Sequence, residues 1–228
     1  MAAALTSLIF DLDGTLTDSK PGIIGCLREV MDARGMKDCG PLDRFIGPPV
    51  EEWTAELLPD ASKEDREALA RDYRACYDRV GWSNNSVYPG VTEMLAQLCA
   101  DGLGLFVCTS KHEHFAVRIL ETFGIQKYFK AIYGDRIDYP SHSKTDLLAR
   151  ILSEHSIEAE SAWMVGDRSF DIEAAHAKGV RCLAAAWGYG TPEELALADA
   201  VAAAPAGVVK IVRAHPSGSA TAPRIALA

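Results

Sequence analysis

Short apolar runs recur along the chain, and each one ends in small or acidic residues. The first covers residues 8–10 and is followed by Asp-Leu-Asp-Gly-Thr. Four later runs have the same form, at residues 103–108, 131–133, 162–165 and 182–186. Runs this short and this apolar are typical of strands that are buried on both faces. We therefore predict a parallel sheet with polar loops at the carboxyl ends of its strands.

Amphipathic stretches separate the later strands. Val91, Met94, Leu95 and Leu98 follow the spacing of one helix face. Ser143 is a predicted N-cap for a third such helix, with Asp146 three residues on. The alanine-rich stretch 196–206 fits a helix, a short strand and a helix that begins at a proline. From residue 89 onward helices and strands alternate, which predicts a doubly wound, Rossmann-like α/β fold.

A different pattern fills the chain between the first strand and residue 89. Helical spacing covers residues 20–35, 50–58 and 62–81, and no strand pattern matches those of the core. We predict an all-α cap domain at 17–85, inserted into an α/β core domain made of 1–16 and 86–215. Residues 216–228, rich in Pro, Gly and Ser, are predicted to form a loose C-terminal tail.

Composition and charge narrow the range of partners. Of 228 residues, 23 are Lys or Arg and 32 are Asp or Glu, a net charge of −9, which argues against nucleic acid or an anionic membrane as a partner. The six cysteines form no C-x-x-C pair, and neither a signal peptide nor a membrane span is evident. We expect a cytoplasmic protein, a monomer or weak homodimer.

Paired carboxylates follow two of the predicted strands. Asp11 and Asp13 are two residues apart and face the same side of an extended segment, whereas Asp167 and Asp171 are four apart at a predicted helix start. Each pair alone is compatible with a solvated turn or a helix cap. Four carboxylates at two strand ends repel each other unless a cation joins them, and oxygen-only ligands favour Mg²⁺.

Hydroxyl and cationic groups follow two other predicted elements. Thr109 and Ser110 end the strand at 103–108, where hydroxyls and backbone N–H groups can hold a phosphoryl oxygen, although Ser110 also suits a helix cap. Lys144 lies in the first turn of its predicted helix and can reach back over the sheet edge. A carboxylate cluster that handles phosphate needs such a compensating ammonium.

These residues resemble the four motifs of the haloacid dehalogenase-like superfamily of hydrolases. Asp11-Leu12-Asp13-Gly14-Thr15-Leu16-Thr17-Asp18 matches the first motif, Thr109 the second, Lys144 the third, and Gly166-Asp167 through Asp171 the fourth. The resemblance covers about residues 5–213, and the helical insert is similar to the family's small cap. Arg44-Phe45-Ile46-Gly47-Pro48-Pro49 and Gly188-Tyr189-Gly190-Thr191 resemble phosphoglycolate phosphatases and 5′-nucleotidases. Phe170 departs from that subgroup, which often has His there.

The resemblance implies a role for each motif residue. Asp11 would attack phosphorus and form an aspartyl-phosphate, and Asp13 would exchange protons with the leaving group and the water. Mg²⁺ would be held by Asp11, the backbone carbonyl of Asp13 and Asp167, with Asp171 close by. Thr109 and Lys144 would bind the phosphoryl oxygens. The implied activity is that of a Mg²⁺-dependent phosphatase acting on a small-molecule phosphate monoester.

The motifs leave the substrate open. We place phosphoglycolate first, because Arg44 could pair with its carboxylate and Ser110 and Lys111 follow the phosphate site as further substrate ligands. A 5′-nucleotide comes second and would need an aromatic wall, for which Trp53 or Tyr189 could serve. A sugar-phosphate mutase of the β-phosphoglucomutase type shares all four motifs. A phosphonate hydrolase would need a cap lysine for a Schiff base, and no lysine in the predicted cap is in a suitable apolar setting. A non-catalytic binding module would not explain why all four motifs are intact.

Overall fold

A computed structural model describes residues 4–37, 40–48, 50–136 and 143–214. Its strands are β1 (Ser7–Phe10), β2 (Thr17–Asp18), β3 (Ser86–Val87), β4 (Gly104–His112), β5 (Ala131–Asp135), β6 (Ala162–Gly166), β7 (Arg181–Ala185) and β8 (Ala200–Ala202). Six of them form one parallel sheet in the order β5-β4-β1-β6-β7-β8. The predicted doubly wound α/β fold is therefore confirmed; five strands correspond to the five short apolar runs, and the sixth, β8, lies in the alanine-rich stretch.

Helices cover both faces of this sheet. They are α1 (Lys20–Ala33), α2 (Val50–Leu57), α3 (Lys63–Arg79), α4 (Val91–Ala100), α5 (Glu113–Thr122), α6 (Lys144–Glu154), α7 (Ser169–Ala177), α8 (Pro192–Leu195) and α9 (Pro205–Ala214). The Ser143 hydroxyl accepts a hydrogen bond from the Asp146 N–H, as the capping pattern predicts. None of the described helices is long and apolar enough to cross a lipid bilayer.

Strand β1 lies at the centre of the sheet, between β4 and β6. Its side chains alternate between two cores: Leu8 and Phe10 pack with residues of α4, α5 and α9, whereas Ile9 packs with residues of α6 and α7. Burial on both faces explains why the strand is a continuous apolar run. The chain leaves β1 at the middle of the carboxyl edge, where open α/β sheets bind their ligands.

The inserted helices have a core of their own. Helices α1, α2 and α3 bury Leu27, Trp53, Leu69 and Tyr73 against one another, and we refer to residues 17–85 as the cap. Strands β2 and β3 pair antiparallel where the chain enters and leaves it. The sequence predicted no strand between the first strand and residue 89; two-residue strands are too short to leave an alternating pattern. The bounds of the two domains remain a proposal.

The end of the described chain follows the alanine-rich stretch. Strand β8 lies within it, and α9 begins at Pro205, as the sequence pattern predicts. The predicted tail at 216–228 lies outside the described residues. Five cysteines are free thiols, in keeping with the absence of C-x-x-C spacing, and Cys39 is not described.

Close backbone packing at Gly22 generates a stability prediction. A Cβ atom on Gly22, in α1, would lie 2.0 Å from the backbone oxygen of Gly81, whereas a Cβ on Gly25 of the same helix would meet nothing within 4 Å. Gly22→Ala is therefore expected to lower the free energy of unfolding by about 2 kcal/mol, because the clash outweighs the helix preference of Ala. Urea unfolding measures this change.

The matched control is Gly25→Ala. It is expected to raise the free energy of unfolding by about 0.5–1 kcal/mol, since Gly25 is exposed and Ala favours the helix. Equal effects of the two substitutions would contradict the packing of α1 on Gly81.

Candidate active site

Three carboxylates meet where β1 and β6 end. Asp11 follows β1, Asp167 follows β6, and Asp171 lies in the first turn of α7. One oxygen from each lies within 4.8 Å of the others, and all three residues are buried. This is the carboxylate cluster. The sequence predicted that these residues lie together, because parallel strands end at one edge of the sheet.

Asp13 is not one of the three acids of the carboxylate cluster. Its Oδ2 lies 3.0 Å from the Nζ atom of Lys111, and its Oδ1 is buried with no hydrogen-bond partner among the described residues. The Asp13 carboxylate is therefore outside the group of three acids that could hold a cation. A metal contact through its backbone carbonyl, which the family resemblance implies, stays a prediction.

Two glycines let the neighbouring loops approach Asp167. Gly14 has a φ of +85°, and a Cβ there would lie 2.2 Å from Asp167 Oδ2. A Cβ on Gly188 would lie 2.4 Å from the Cβ of Asp167. Within this space the Thr15 hydroxyl donates to Asp167 Oδ1 at 3.0 Å, and the Tyr189 N–H donates to Oδ2 at 2.8 Å. These two donors fix the orientation of the Asp167 carboxylate.

Lys144 supplies a cation beside the carboxylate cluster. It is the first residue of α6, and its side chain is 8% exposed. Its Nζ lies 2.7 Å from Asp171 Oδ1 and 3.0 Å from Asp11 Oδ1. Burial opposes the charged form, but the two carboxylates outweigh this effect and raise the Lys144 pKa above its usual value. The ammonium therefore stays charged and bridges two acids.

Burial changes the acidity of the clustered carboxyls. It raises the pKa of Asp11 from 3.8 to about 7, against the opposing effect of Lys144. It also raises the pKa of Asp167 well above its usual range, and the nearby charges of Asp171 and Asp11 act in the same direction. The donor set consists of buried carboxylate oxygens, which suit a hard cation such as Mg²⁺. A divalent cation would relieve the repulsion that these shifts express.

The end of β4 forms another wall of the site. Thr109 is buried, and its hydroxyl accepts a hydrogen bond from the Lys111 N–H at 3.2 Å. Thr109, Ser110 and Lys111 line one cavity together with Asp11, Asp13 and Lys144. The structure thus brings these six predicted site residues to one space, with Asp167 and Asp171 behind Asp11.

Arg44 is not at this cavity. Its Nε lies 2.7 Å from Glu56 Oε1, and its guanidinium lies 4.2 Å from the centre of the Phe45 ring, on the cap surface. The expectation that Arg44 reaches the substrate therefore finds no support in its position. Another cap arginine, Arg74, lines the cavity and is paired with Glu51. Pro49, at the end of the predicted loop, lies outside the described residues.

The cavity lies between the core and the cap and has a volume of about 480 Å³. Its apolar lining comes mainly from the cap, with one core residue: Ile23, Phe45, Val50, Trp53, Tyr73, Tyr77 and Phe115. The rings form a continuous series. The centroid distances are 5.0 Å from Trp53 to Tyr73, 5.9 Å from Tyr73 to Tyr77 and 5.2 Å from Tyr77 to Phe115. The charged end of the site thus opens into an aromatic chamber.

The sequence did not predict the contacts of several residues that shape the site. Thr15 and the backbone of Tyr189 orient Asp167, and Tyr77 touches Lys111. Arg168 connects the core to the cap, because it donates to the backbone oxygen of Ile46 and pairs with Glu194 at 3.2 Å. Thr15, Arg168 and Tyr189 lie within the quoted sequence motifs, so their proximity to the site could have been anticipated, whereas no motif includes Tyr77.

A family model described as haloacid dehalogenase-like hydrolase matches residues 8–185. The chain belongs to this family. The resemblance found in the four sequence motifs is confirmed. A haloacid dehalogenase-like hydrolase from Streptococcus pneumoniae superimposes with a TM-score of 0.83 at 28% identity, covering 91% of this chain and 98% of that one.

Three curated relatives of this chain carry different names. The tyrosine-protein kinase PtkA of Mycobacterium tuberculosis is 40% identical over 80% of this chain, which spans only 62% of that relative. A 5′-nucleotidase of Pseudomonas aeruginosa is 34% identical over 83% of this chain and 86% of its own length. A phosphoglycolate phosphatase of Yersinia pestis is 29% identical, with 85% and 86% covered. All three names describe proteins that handle phosphoryl groups.

The raised pKa of Asp11 generates a prediction about the metal-free protein. The folded carboxyl has a pKa of about 7 against the ordinary 3.8, so its stabilising contribution is present at low pH and is lost as the pH rises from about 4 to about 7. Asp11→Asn has no such titration. The variant should therefore be more stable than the wild type at pH 8 in EDTA, by about 2 kcal/mol, with a smaller difference at pH 5.

Urea unfolding in EDTA at the two pH values measures this difference. Asp101→Asn is the control, because Asp101 is exposed and pairs with Arg213 far from the cluster. It should show no stabilisation at either pH. An Asp11→Asn protein that is less stable than the wild type at pH 8 would contradict the argument from burial.

Proposed function

We propose that the protein is a metal-dependent phosphatase that hydrolyses phosphate monoesters through a phosphorylated Asp11. The observation that carries this proposal is the position of Asp11. Its carboxylate lines the cavity, close to Asp167 and Asp171 and 3.0 Å from the Lys144 ammonium. A nucleophile in this setting would meet a phosphoryl group beside the positive charge of Lys144 and of a bound cation.

The residues divide the chemistry between them. A carboxylate oxygen of Asp11 attacks phosphorus while the bond from phosphorus to the leaving oxygen breaks. Asp13 gives that oxygen a proton and then takes one from the water that hydrolyses the acyl phosphate, which returns Asp11 to its starting form. Thr109 and Ser110 receive the phosphoryl oxygens at the end of β4, and Lys144 offsets their charge.

The donor set of the carboxylate cluster supports a Mg²⁺ cofactor. Asp11 and Asp167 would hold the ion, and Asp171, which shares its Oδ1 with Lys144, would act next to it. When bound, the ion supplies positive charge at the phosphoryl oxygens and neutralises the acids. Thr15 and the Tyr189 backbone keep the Asp167 carboxylate oriented for this role.

Asp11→Asn is expected to lower kcat for p-nitrophenyl phosphate by at least about 10⁴-fold, because the amide is not a nucleophile. Removing divalent metal with EDTA should abolish turnover of the wild type, and Mg²⁺ should restore it. Steady-state kinetics measure both effects. Asp101→Asn serves as the control and should keep wild-type kcat. Appreciable turnover by Asp11→Asn would contradict the assignment of the nucleophile.

The shape of the cavity favours a leaving group that carries a flat ring. A volume of about 480 Å³ is far larger than phosphoglycolate requires, and the cap side of the cavity is aromatic. Arg44, the cap group expected to recognise a small anion, pairs with Glu56 outside the cavity, and Arg74, which lines the cavity, pairs with Glu51. A nucleoside 5′-monophosphate therefore replaces phosphoglycolate as the first candidate substrate. Of the two aromatic residues expected to form a wall, Trp53 lines the cavity.

Trp53→Leu tests this order of substrates. It keeps an apolar side chain in the cap core but removes the flat ring, so kcat/KM for a nucleoside 5′-monophosphate should fall about 10-fold. The value for phosphoglycolate should change less than twofold. Arg44→Ala is the matched cap control and should leave both values unchanged. The proposal of a ring-bearing leaving group would be contradicted if the wild type preferred phosphoglycolate, or if Arg44→Ala lowered kcat/KM for phosphoglycolate.

A phosphotransferase is the second candidate. A phosphorylated Asp11 can be attacked by a hydroxyl instead of water, and relatives 40% identical to this chain are named tyrosine-protein kinases. The aromatic chamber is wide enough for a tyrosine side chain. Incubation with γ-labelled ATP and a tyrosine-containing peptide distinguishes the two candidates, since a phosphatase releases inorganic phosphate whereas a phosphotransferase labels the peptide.

A further inference from the structure

Tyr77 reaches the reaction centre from the cap. The Nζ atom of Lys111 donates a hydrogen bond to the Tyr77 hydroxyl at 2.6 Å and lies 3.0 Å from Oδ2 of Asp13. Tyr77 belongs to α3 of the cap, whereas Lys111 and Asp13 belong to the core. One ammonium group thus connects a cap side chain to the carboxylate that carries the proton in the proposed mechanism.

The contact is buried and held on several sides. The Lys111 side chain is 7% exposed, and Tyr77 is 3% exposed. The Tyr77 ring stacks on Tyr73 at 5.9 Å and meets Phe115 of the core edge-on. Its face also lies 4.3 Å from Nζ of Lys111, within the range of a cation–π contact. The ring therefore has little freedom to turn, and its hydroxyl holds the ammonium in place.

The same contact depends on the position of the cap. The chain crosses between core and cap only at the ribbon of β2 and β3, so α3 can separate from β4 as a unit. Separation would take the Tyr77 hydroxyl away from Lys111 and admit water to Asp13. Without the Tyr77 hydroxyl, the Lys111 ammonium is no longer held in a fixed position beside Asp13.

We propose that Tyr77 is a positioning residue that aligns Lys111 with Asp13 only when the cap is closed. This makes the arrangement of the acid–base carboxylate dependent on cap closure, so that the leaving group receives its proton in a site shielded from bulk water. The role of Asp13 rests on the proposed phosphatase function, whereas the closing contact between Tyr77 and Lys111 does not.

A double-mutant cycle tests the proposal by kinetics. Tyr77→Phe keeps the ring and its packing but removes the hydroxyl, and Lys111→Met keeps an apolar stem but removes the ammonium. Tyr77→Phe should lower kcat for p-nitrophenyl phosphate about 10-fold with little change in KM. In the Lys111→Met background the same substitution should have no further effect, because the group that Tyr77 positions is gone.

Tyr133→Phe is the matched control. Tyr133 is also a buried tyrosine, and its hydroxyl donates a hydrogen bond to Glu154 at 2.5 Å. Because this contact is not at the cavity, removing the hydroxyl should leave kcat unchanged. Equal losses of kcat from Tyr77→Phe in both backgrounds would overturn the proposal, and so would an unchanged kcat in Tyr77→Phe.

A second measurement does not require turnover. Hydrogen–deuterium exchange of backbone amides at 109–115, which line the cavity beneath the cap, should be faster in Tyr77→Phe and in Lys111→Met than in the wild type or Tyr133→Phe. Unchanged exchange in Tyr77→Phe would overturn the closing contact. If the wild type hydrolyses no phosphate ester while exchange responds as expected, the proposed function fails and the contact stands.

Discussion

Repulsion among buried carboxylates is the constraint on which this site depends. Asp11, Asp167 and Asp171 lie together and are at most 4% exposed, and Asp13 lies nearby against Lys111. When all four are ionised, two buried ammonium groups balance two of the negative charges, which leaves two for a divalent cation to neutralise. The strand order brings the acids together, because β1 and β6 are neighbours and end at one edge of the sheet. The fold therefore enforces an unfavourable arrangement that a divalent cation would relieve.

The loops around the cluster show what this arrangement requires. Asp167 can be approached closely only because Gly14 and Gly188 have no side chains, and its two oxygens each accept a hydrogen bond from a neighbouring loop. Such donors stabilise the ionised carboxylate against the cost of burial. A site of this kind costs stability in the absence of metal, and the large apolar cores above and below the sheet offset that cost.

Recognition is divided between the two parts of the molecule. In the proposed function the core recognises the phosphoryl group, which the names tyrosine kinase, 5′-nucleotidase and phosphoglycolate phosphatase of the relatives have in common. The cap adds an aromatic chamber and, through Tyr77, a polar contact at Lys111. Selection of the leaving group and timing of the chemistry would then both depend on one small helical unit.

The sequence by itself determined the α/β core, the helical insert and the acids, hydroxyls and Lys144 at the strand ends. Those features are local: a buried run followed by Asp-x-Asp, or a cap residue before a helix, is readable within ten residues. Only the tertiary structure decided which cap side chains face the cavity. Arg44 and Arg74 look alike in the sequence, yet one pairs with Glu56 on the surface and the other lines the chamber. Such contacts join residues that are distant along the chain. They depend on how α1, α2 and α3 pack against the core, and no local sequence pattern encodes that packing.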